Sequence, residues 1–256
     1  MTKRKKFVIS SIILSVGFLL INFLDNNYRF WTIAVLTLLT LILSSWSLYE
    51  GLAFNTTLLT LILQPMFTLG VGIFWFLLPS SLYARLPVVV LYGIGNYALF
   101  LTANIFTVSA IRTIALSRAA KGVSFVLTLL TSFLLFDSLF SLRSSVFVNA
   151  IGTFAITLPL FLQGLWQSLL EGELIKNNIL TYSIVFGLLC SELSALLYFW
   201  PVTVVVGSLF MTVSVYVLLG LGQAQLEARL FKQTAQEYLI VGTVVFLTVL
   251  FATKWG

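Results

Sequence analysis

Eight acidic residues are present in this 256-residue chain, and two of them, Asp137 and Glu192, sit inside long apolar runs. The other six, Asp25, Glu50, Glu171, Glu173, Glu227 and Glu237, fall in loops or at the ends of such runs. A carboxyl group held in apolar surroundings can carry a proton or hold a cation, because burial and neighbouring charges move its protonation equilibrium. Asp137 and Glu192 are therefore the first candidates for chemistry. Histidine is absent and Cys190 is the single cysteine. That excludes a Ser-His-Asp triad, a Cys/His metal cluster and an intramolecular disulfide framework. No metal or other cofactor is implied.

A second set of polar residues lies between 146 and 170. At 100° per residue, Asn149, Thr153, Thr157, Gln163, Gly164 and Gln167 fall on one stripe about 120° wide. The opposite face carries Ile151, Phe154, Leu158, Leu162, Leu165 and Leu169. The pattern predicts a helix with a lipid side and a polar side, and Pro159 should loosen its backbone locally. The stripe lines a hydrated cavity or packs on small residues elsewhere, and packing is the favoured reading. Gln64-Pro65, and Gly93, Gly95, Asn96 and Asn104 further on, resemble the interrupted helices found at transporter sites. That signal is weak, because Gly and Pro are frequent in membrane helices generally.

What must position these residues is a membrane-spanning scaffold. Hydrophobic residues make up 60% of the chain and charged residues 9%, where a soluble domain carries about 25% charged. Mean hydropathy is +1.08. Apolar runs of about 20 residues, each able to cross a bilayer core of about 30 Å, recur along the chain. The expected fold is an all-α polytopic bundle forming one integral membrane domain, 1–256. Its nine expected spans lie near 7–24, 30–49, 54–78, 84–109, 122–143, 146–170, 178–200, 202–222 and 238–253. The first reads as an uncleaved helix: its apolar stretch is long for a signal peptide, and Asp25-Asn26-Asn27 follows without a small-x-small site.

Lys and Arg in the short loops set the orientation. With the N-terminus in the cytoplasm, ten basic residues fall inside and four, Arg29, Arg85, Arg143 and Lys254, outside. The net charge of +6 is not a sign of nucleic-acid binding. Lys3, Arg4, Lys5 and Lys6 adjoin the first span, where such a cluster orients the helix and attracts anionic lipid head groups. Trp31, Trp46, Trp75, Trp166, Trp200 and Trp255 all fall near expected span ends, as amphipathic indole rings at the membrane interface would. The stretch 223–238 reads as a helical connector.

In this orientation the spans holding Asp137 and Glu192 run in the same direction. At 1.5 Å per residue, Asp137 lies about 9 Å and Glu192 about 12 Å from the outer ends. They are expected at similar depth, with Arg143, Arg85 and Arg29 as cationic partners on that side. An intramembrane carboxylate costs ~2.5–3.5 kcal/mol on insertion scales. The two acids either form one proton- or cation-linked site or each bond a neighbouring helix and fix packing. Ser138, Ser191 and Ser194 adjoin them and are common interhelical hydrogen-bonding groups. Packing is again favoured.

From "SELSALLYFWP" through "YVLLGLGQAQLEARLFKQTAQEYL" to "ATKW", with Glu192, Trp200, Pro201, Glu237 and Tyr238, the chain resembles a group of small bacterial membrane proteins of unknown function from reduced-genome candidate phyla. The resemblance implies a bacterial cytoplasmic membrane and brings no activity and no site residues. The expected role is structural or in assembly, with the lipid bilayer and a membrane protein or second copy as partners. A small secondary transporter built on Asp137, Glu192 and the polar stripe is the alternative. A lipid-linked transferase using Asp25 ranks third.

Overall fold

The computed structural model of the chain describes residues 2–21, 28–49, 59–78, 82–109, 116–169 and 178–253. Among them there is no strand. The described residues form nine helices of 12 residues or more: α1 (Lys3–Leu20), α2 (Arg29–Leu48), α3 (Leu63–Phe74), α4 (Leu82–Ser109), α5 (Ser117–Ser141), α6 (Val146–Leu169), α7 (Ile179–Tyr198), α8 (Val204–Leu226) and α9 (Lys232–Ala252). Eight spans, all but α1, are long and apolar enough to cross a membrane. The molecule is thus an all-α, multi-pass membrane protein. In α1 the apolar part begins at Phe7, after four basic residues, and the expected end of its span, 22–24, lies outside the described residues.

The chain divides into two compact units, Met1–Thr131 and Ser132–Gly256. In the first, α1 crosses α2 and α4, while α3 packs between α2 and α4. Glycine makes one of these crossings close: a Cβ on Gly72 of α3 would stand 2.9 Å from Ile33 of α2. An aromatic cluster fills the centre. Phe18 of α1 meets Tyr92 of α4 at 4.7 Å and Trp75 at 4.8 Å, and Phe67 of α3 stacks on Tyr92 at 5.9 Å.

The Gln64-Pro65 pair removes one helix hydrogen bond without breaking the helical path. Residues 59–61 are helical, Ile62 keeps helical angles (φ −66°, ψ −43°), and α3 is counted from Leu63. Proline has no N–H to give to the carbonyl four residues back. Here Gln64 replaces it: with its amide nitrogen turned inward, it donates to Leu61 O at 3.0 Å and Thr60 O at 3.1 Å. Pro159, by contrast, is carried inside an unbroken α6.

In the second unit α6 packs along α7 and against α8, and α9 packs on α8. The connectors 142–145, 199–203 and 227–231 are short, so neighbouring helices run antiparallel. Each has a local cause. Pro201 cannot extend α7, and Thr203 caps α8, its hydroxyl accepting from Val206 N. Ala228, with φ of 54°, ends α8 in a paired arrangement: its N–H donates to Gln225 O at 3.1 Å and that of Arg229 to Ala224 O at 2.8 Å. These are the two bonds of a Schellman motif, with alanine where glycine is usual. The connector expected over 223–238 is therefore mostly helix, with α8 ending at Leu226 and α9 beginning at Lys232.

The tryptophans expected near span ends differ in exposure. Trp31 and Trp46 are exposed on α2, but Trp75 and Trp166 are each 2% exposed and belong to the packed interior. Position near a helix end places a ring in depth, not in direction.

Candidate functional site

The candidate residues separate by unit. Asn96 is in the first, fully buried, with Nδ2 donating to Tyr92 O at 3.0 Å. Beside it runs a chain of hydroxyls that the sequence did not single out. Thr40 of α2 lies 3.1 Å from Thr68 of α3, which lies 3.0 Å from the Tyr92 hydroxyl of α4. Thr40 also donates to Leu36 O at 2.8 Å. The three side chains tie three helices together beneath aromatic rings. This is a packing device, and nothing in the sequence singles out these three hydroxyls from the others in the same apolar runs.

The second unit holds the remaining candidates. The α6 stripe is buried throughout: Asn149, Thr153, Thr157, Gln163, Gly164 and Gln167 all face protein. What they meet is mixed: Thr157 faces Gly187 of α7, while Leu219 of α8 lies over Gly164. A Cβ on Gly187 of α7 would stand 3.1 Å from Phe154 and 3.5 Å from Thr157. Ser191 of α7 donates to Ala150 O at 2.8 Å, and Gln223 of α8 donates to Gly164 O at 2.9 Å. The expected lipid side is narrower than the wheel implies. Ile151 is exposed, but Leu165 is fully buried, because Gly222 of α8 admits it beside Phe186. Past Pro159, α6 is enclosed on nearly every side.

Asp137 and Glu192 have different neighbours. Asp137 is 6% exposed and faces Ser208 of α8, whose hydroxyl donates to Val204 O at 2.8 Å. Glu192 is exposed on α7. It lies in a mostly apolar groove of about 310 Å³, with Leu196 of α7, Phe210 and Val213 of α8 and Phe246 of α9; Ser214, whose hydroxyl donates to Phe210 O at 3.0 Å, is the other polar residue of the lining. One acid is an inward polar contact and the other stands on the outside of its helix. Among the described residues no three of His, Cys, Asp and Glu come together as a metal site would require. Asp25 lies outside the described residues.

The polar space in this unit is elsewhere. A cavity of about 610 Å³ gathers the ends of α5 and α7 and the starts of α6 and α8. Its polar lining includes Arg143, Ser144, Asn149, Ser194, Trp200 and Thr203. Of these the site candidates named from sequence include Asn149 alone. Asp137 lies one turn deeper on α5 than Phe140, which is also in the wall. Arg143 and Ser194 were visible in the sequence as a neighbouring cation and a neighbouring hydroxyl. Their convergence depends on two short connectors meeting, which no single helix pattern encodes.

No curated protein and no solved structure matches the chain. Residues 16–252 match the family described as protein of unknown function (DUF5656), a match that crosses both units, and the chain belongs to that family.

Proposed function

We propose that this protein has a structural or assembly role in a bacterial cytoplasmic membrane, binding another membrane protein or a second copy of itself through the groove around Glu192. The observation that carries the reading is the placement of that carboxyl. It is exposed on the outer side of a membrane helix, among leucines and phenylalanines. Facing acyl chains, it would cost ~2.5–3.5 kcal/mol. A partner that offers it a hydroxyl, amide or cation removes that cost. Helix α9 fits the same reading. Val249 is its one buried residue, while Leu239, Ile240, Val244 and Phe251 are exposed.

The transporter reading needs Asp137 and Glu192 to act on one substrate path, and their different neighbours count against it. Treating residues 1–256 as one membrane domain, with the N-terminus in the cytoplasm, is part of the proposal. The family match across both units supports the first point and the loop charges support the second.

A photo-reactive side chain placed at Leu196 or Val213 tests the groove in intact cells. The expected result is a discrete protein adduct at both positions, weakened several-fold by Glu192→Leu, and none from Leu38, an exposed position on α2. Adducts with lipid alone at all three positions would overturn the proposal.

A further inference from the structure

We infer that the cavity between the ends of α5 and α7 and the starts of α6 and α8 is a binding site for a phosphate-class anion. Four features converge there. The first is charge: Arg143 is exposed in the connector at the cavity mouth and is the single cation in the wall. Its guanidinium can bond two anionic oxygens at once. Second, two long helices begin at the same space. Ser144 and Asn149 come from the start of α6, and Thr203 and Val204 from the start of α8. The first N–H groups of a helix lack intrahelical acceptors, and the helix dipole favours negative charge at that end.

Third, Ser194 lines the cavity while being 1% exposed, and its Oγ has no hydrogen-bond partner. A buried hydroxyl left without a partner carries a desolvation penalty, which an oxygen of a bound anion would relieve. Most other helix hydroxyls of this unit donate to a carbonyl one turn back, as Ser183 and Thr212 do. Fourth, Ser144 Oγ donates to Asn149 Oδ1 at 3.0 Å. That bond fixes the Asn149 amide so that its Nδ2 donor remains available to the cavity. Arginine, serine hydroxyl, amide N–H and two helix starts form a set of donors. A volume of about 610 Å³ accepts more than a bare ion.

Two sources carry this chemistry: the head group of an anionic phospholipid and a soluble phosphate. Trp200 at the wall is an amphipathic ring of the kind that sits at head-group depth, so both are tested. The full chain, in detergent at 0.15 M salt to screen the basic N-terminal cluster, is titrated with phosphatidylglycerol and, separately, with glycerol phosphate. Binding is followed by native mass spectrometry. Loss of one bidentate contact predicts an affinity lower by about tenfold for Arg143→Gln, with most of it kept by Arg143→Lys. Ser194→Ala, which removes a hydroxyl the fold does not use, should lower it about threefold and leave the apparent Tm unchanged. These losses in the lipid arm alone identify a head group, and in the glycerol phosphate arm a soluble ligand. No change with either variant in either arm overturns the site. A drop with Arg143→Gln but none with Ser194→Ala also overturns it, since that is bulk charge without a built pocket. Should Arg143→Gln fail to fold, Ser194→Ala decides alone.

Discussion

Residues 2–131 and 132–253 face the same problem, polar side chains inside apolar helices, and handle it differently. In the first unit the interhelical bonds join side chain to side chain: Ser10 to Ser47, Thr40 to Thr68, Thr68 to Tyr92. In the second they run from side chain to backbone: Ser191 to Ala150 O, Gln223 to Gly164 O. The difference matters because a helix carbonyl is already bonded within its own helix. Buried polar ends without a partner occur in both units: Ser11 Oγ, Asn96 Oδ1 and Ser124 Oγ in the first, and Asp137 Oδ1, Thr153 Oγ1, Gln163 Oε1 and Ser194 Oγ in the second. The lesson lies in what surrounds them: the first unit joins hydroxyls of three helices to one another, while the second sets polar groups beside open space, Ser194 in the cavity wall and Glu192 in the groove.

The comparison can be broken by substitution. The largest effect is expected where the second unit depends on close backbone approach. A Cβ at Gly222 would stand 2.7 Å from both Leu165 and Phe186, so Gly222→Leu should cost about 3 kcal/mol through overpacking and lower the apparent Tm in detergent sharply. Gly207 is the control. A Cβ there meets Phe140 at 3.6 Å, an ordinary contact, and Gly207→Ala should leave the melting curve within error.

Next in size is the contrast of the two bonding styles. Tyr92→Phe removes the end of the Thr40–Thr68–Tyr92 chain and leaves buried hydroxyls short of a partner, at a cost of about 1–2 kcal/mol. Ser191→Ala takes a donor from a carbonyl that keeps its helix bond, and should cost about 0.6 kcal/mol, the average for such contacts in membranes. Equal Tm losses for the two would remove the distinction. The smallest effect is local. Ala228 holds a left-handed φ of 54°, so Ala228→Gly should raise stability by about 0.5 kcal/mol without touching either interior.

The parts of this architecture legible in the sequence are those set within one helix. Apolar runs gave the spans, since a bilayer demands their length. The angular position of Asn149, Thr153, Thr157, Gln163 and Gln167 gave one buried face, because all five follow the same 3.6-residue period. What was not legible depends on which helix stands opposite. Asp137 and Glu192 looked equivalent, each one acid in one apolar run at similar depth. One meets Ser208 and the other a groove, and no property of their own helices separates them. Leu165 lies on the apolar side of its wheel and is buried because Gly222, some sixty residues later, leaves it room. The Arg143–Ser194 cavity belongs to two connectors and four helices at once. Gln64 is the intermediate case: Pro65 beside it signalled a lost backbone bond, and the role of Gln64 in replacing that bond required the side-chain direction.

The central claim is that the first unit uses the Thr40, Thr68 and Tyr92 hydroxyls for its fold, whereas Glu192 in the second is proposed to meet a partner. The most direct measurement is the apparent Tm of the purified chain with Tyr92→Phe and, separately, with Glu192→Leu. The account predicts a clear loss for Tyr92→Phe and no loss, or a gain, for Glu192→Leu, because that carboxyl stands exposed in a mostly apolar groove. A loss for Glu192→Leu as large as that for Tyr92→Phe would contradict the account and make Glu192 a packing residue.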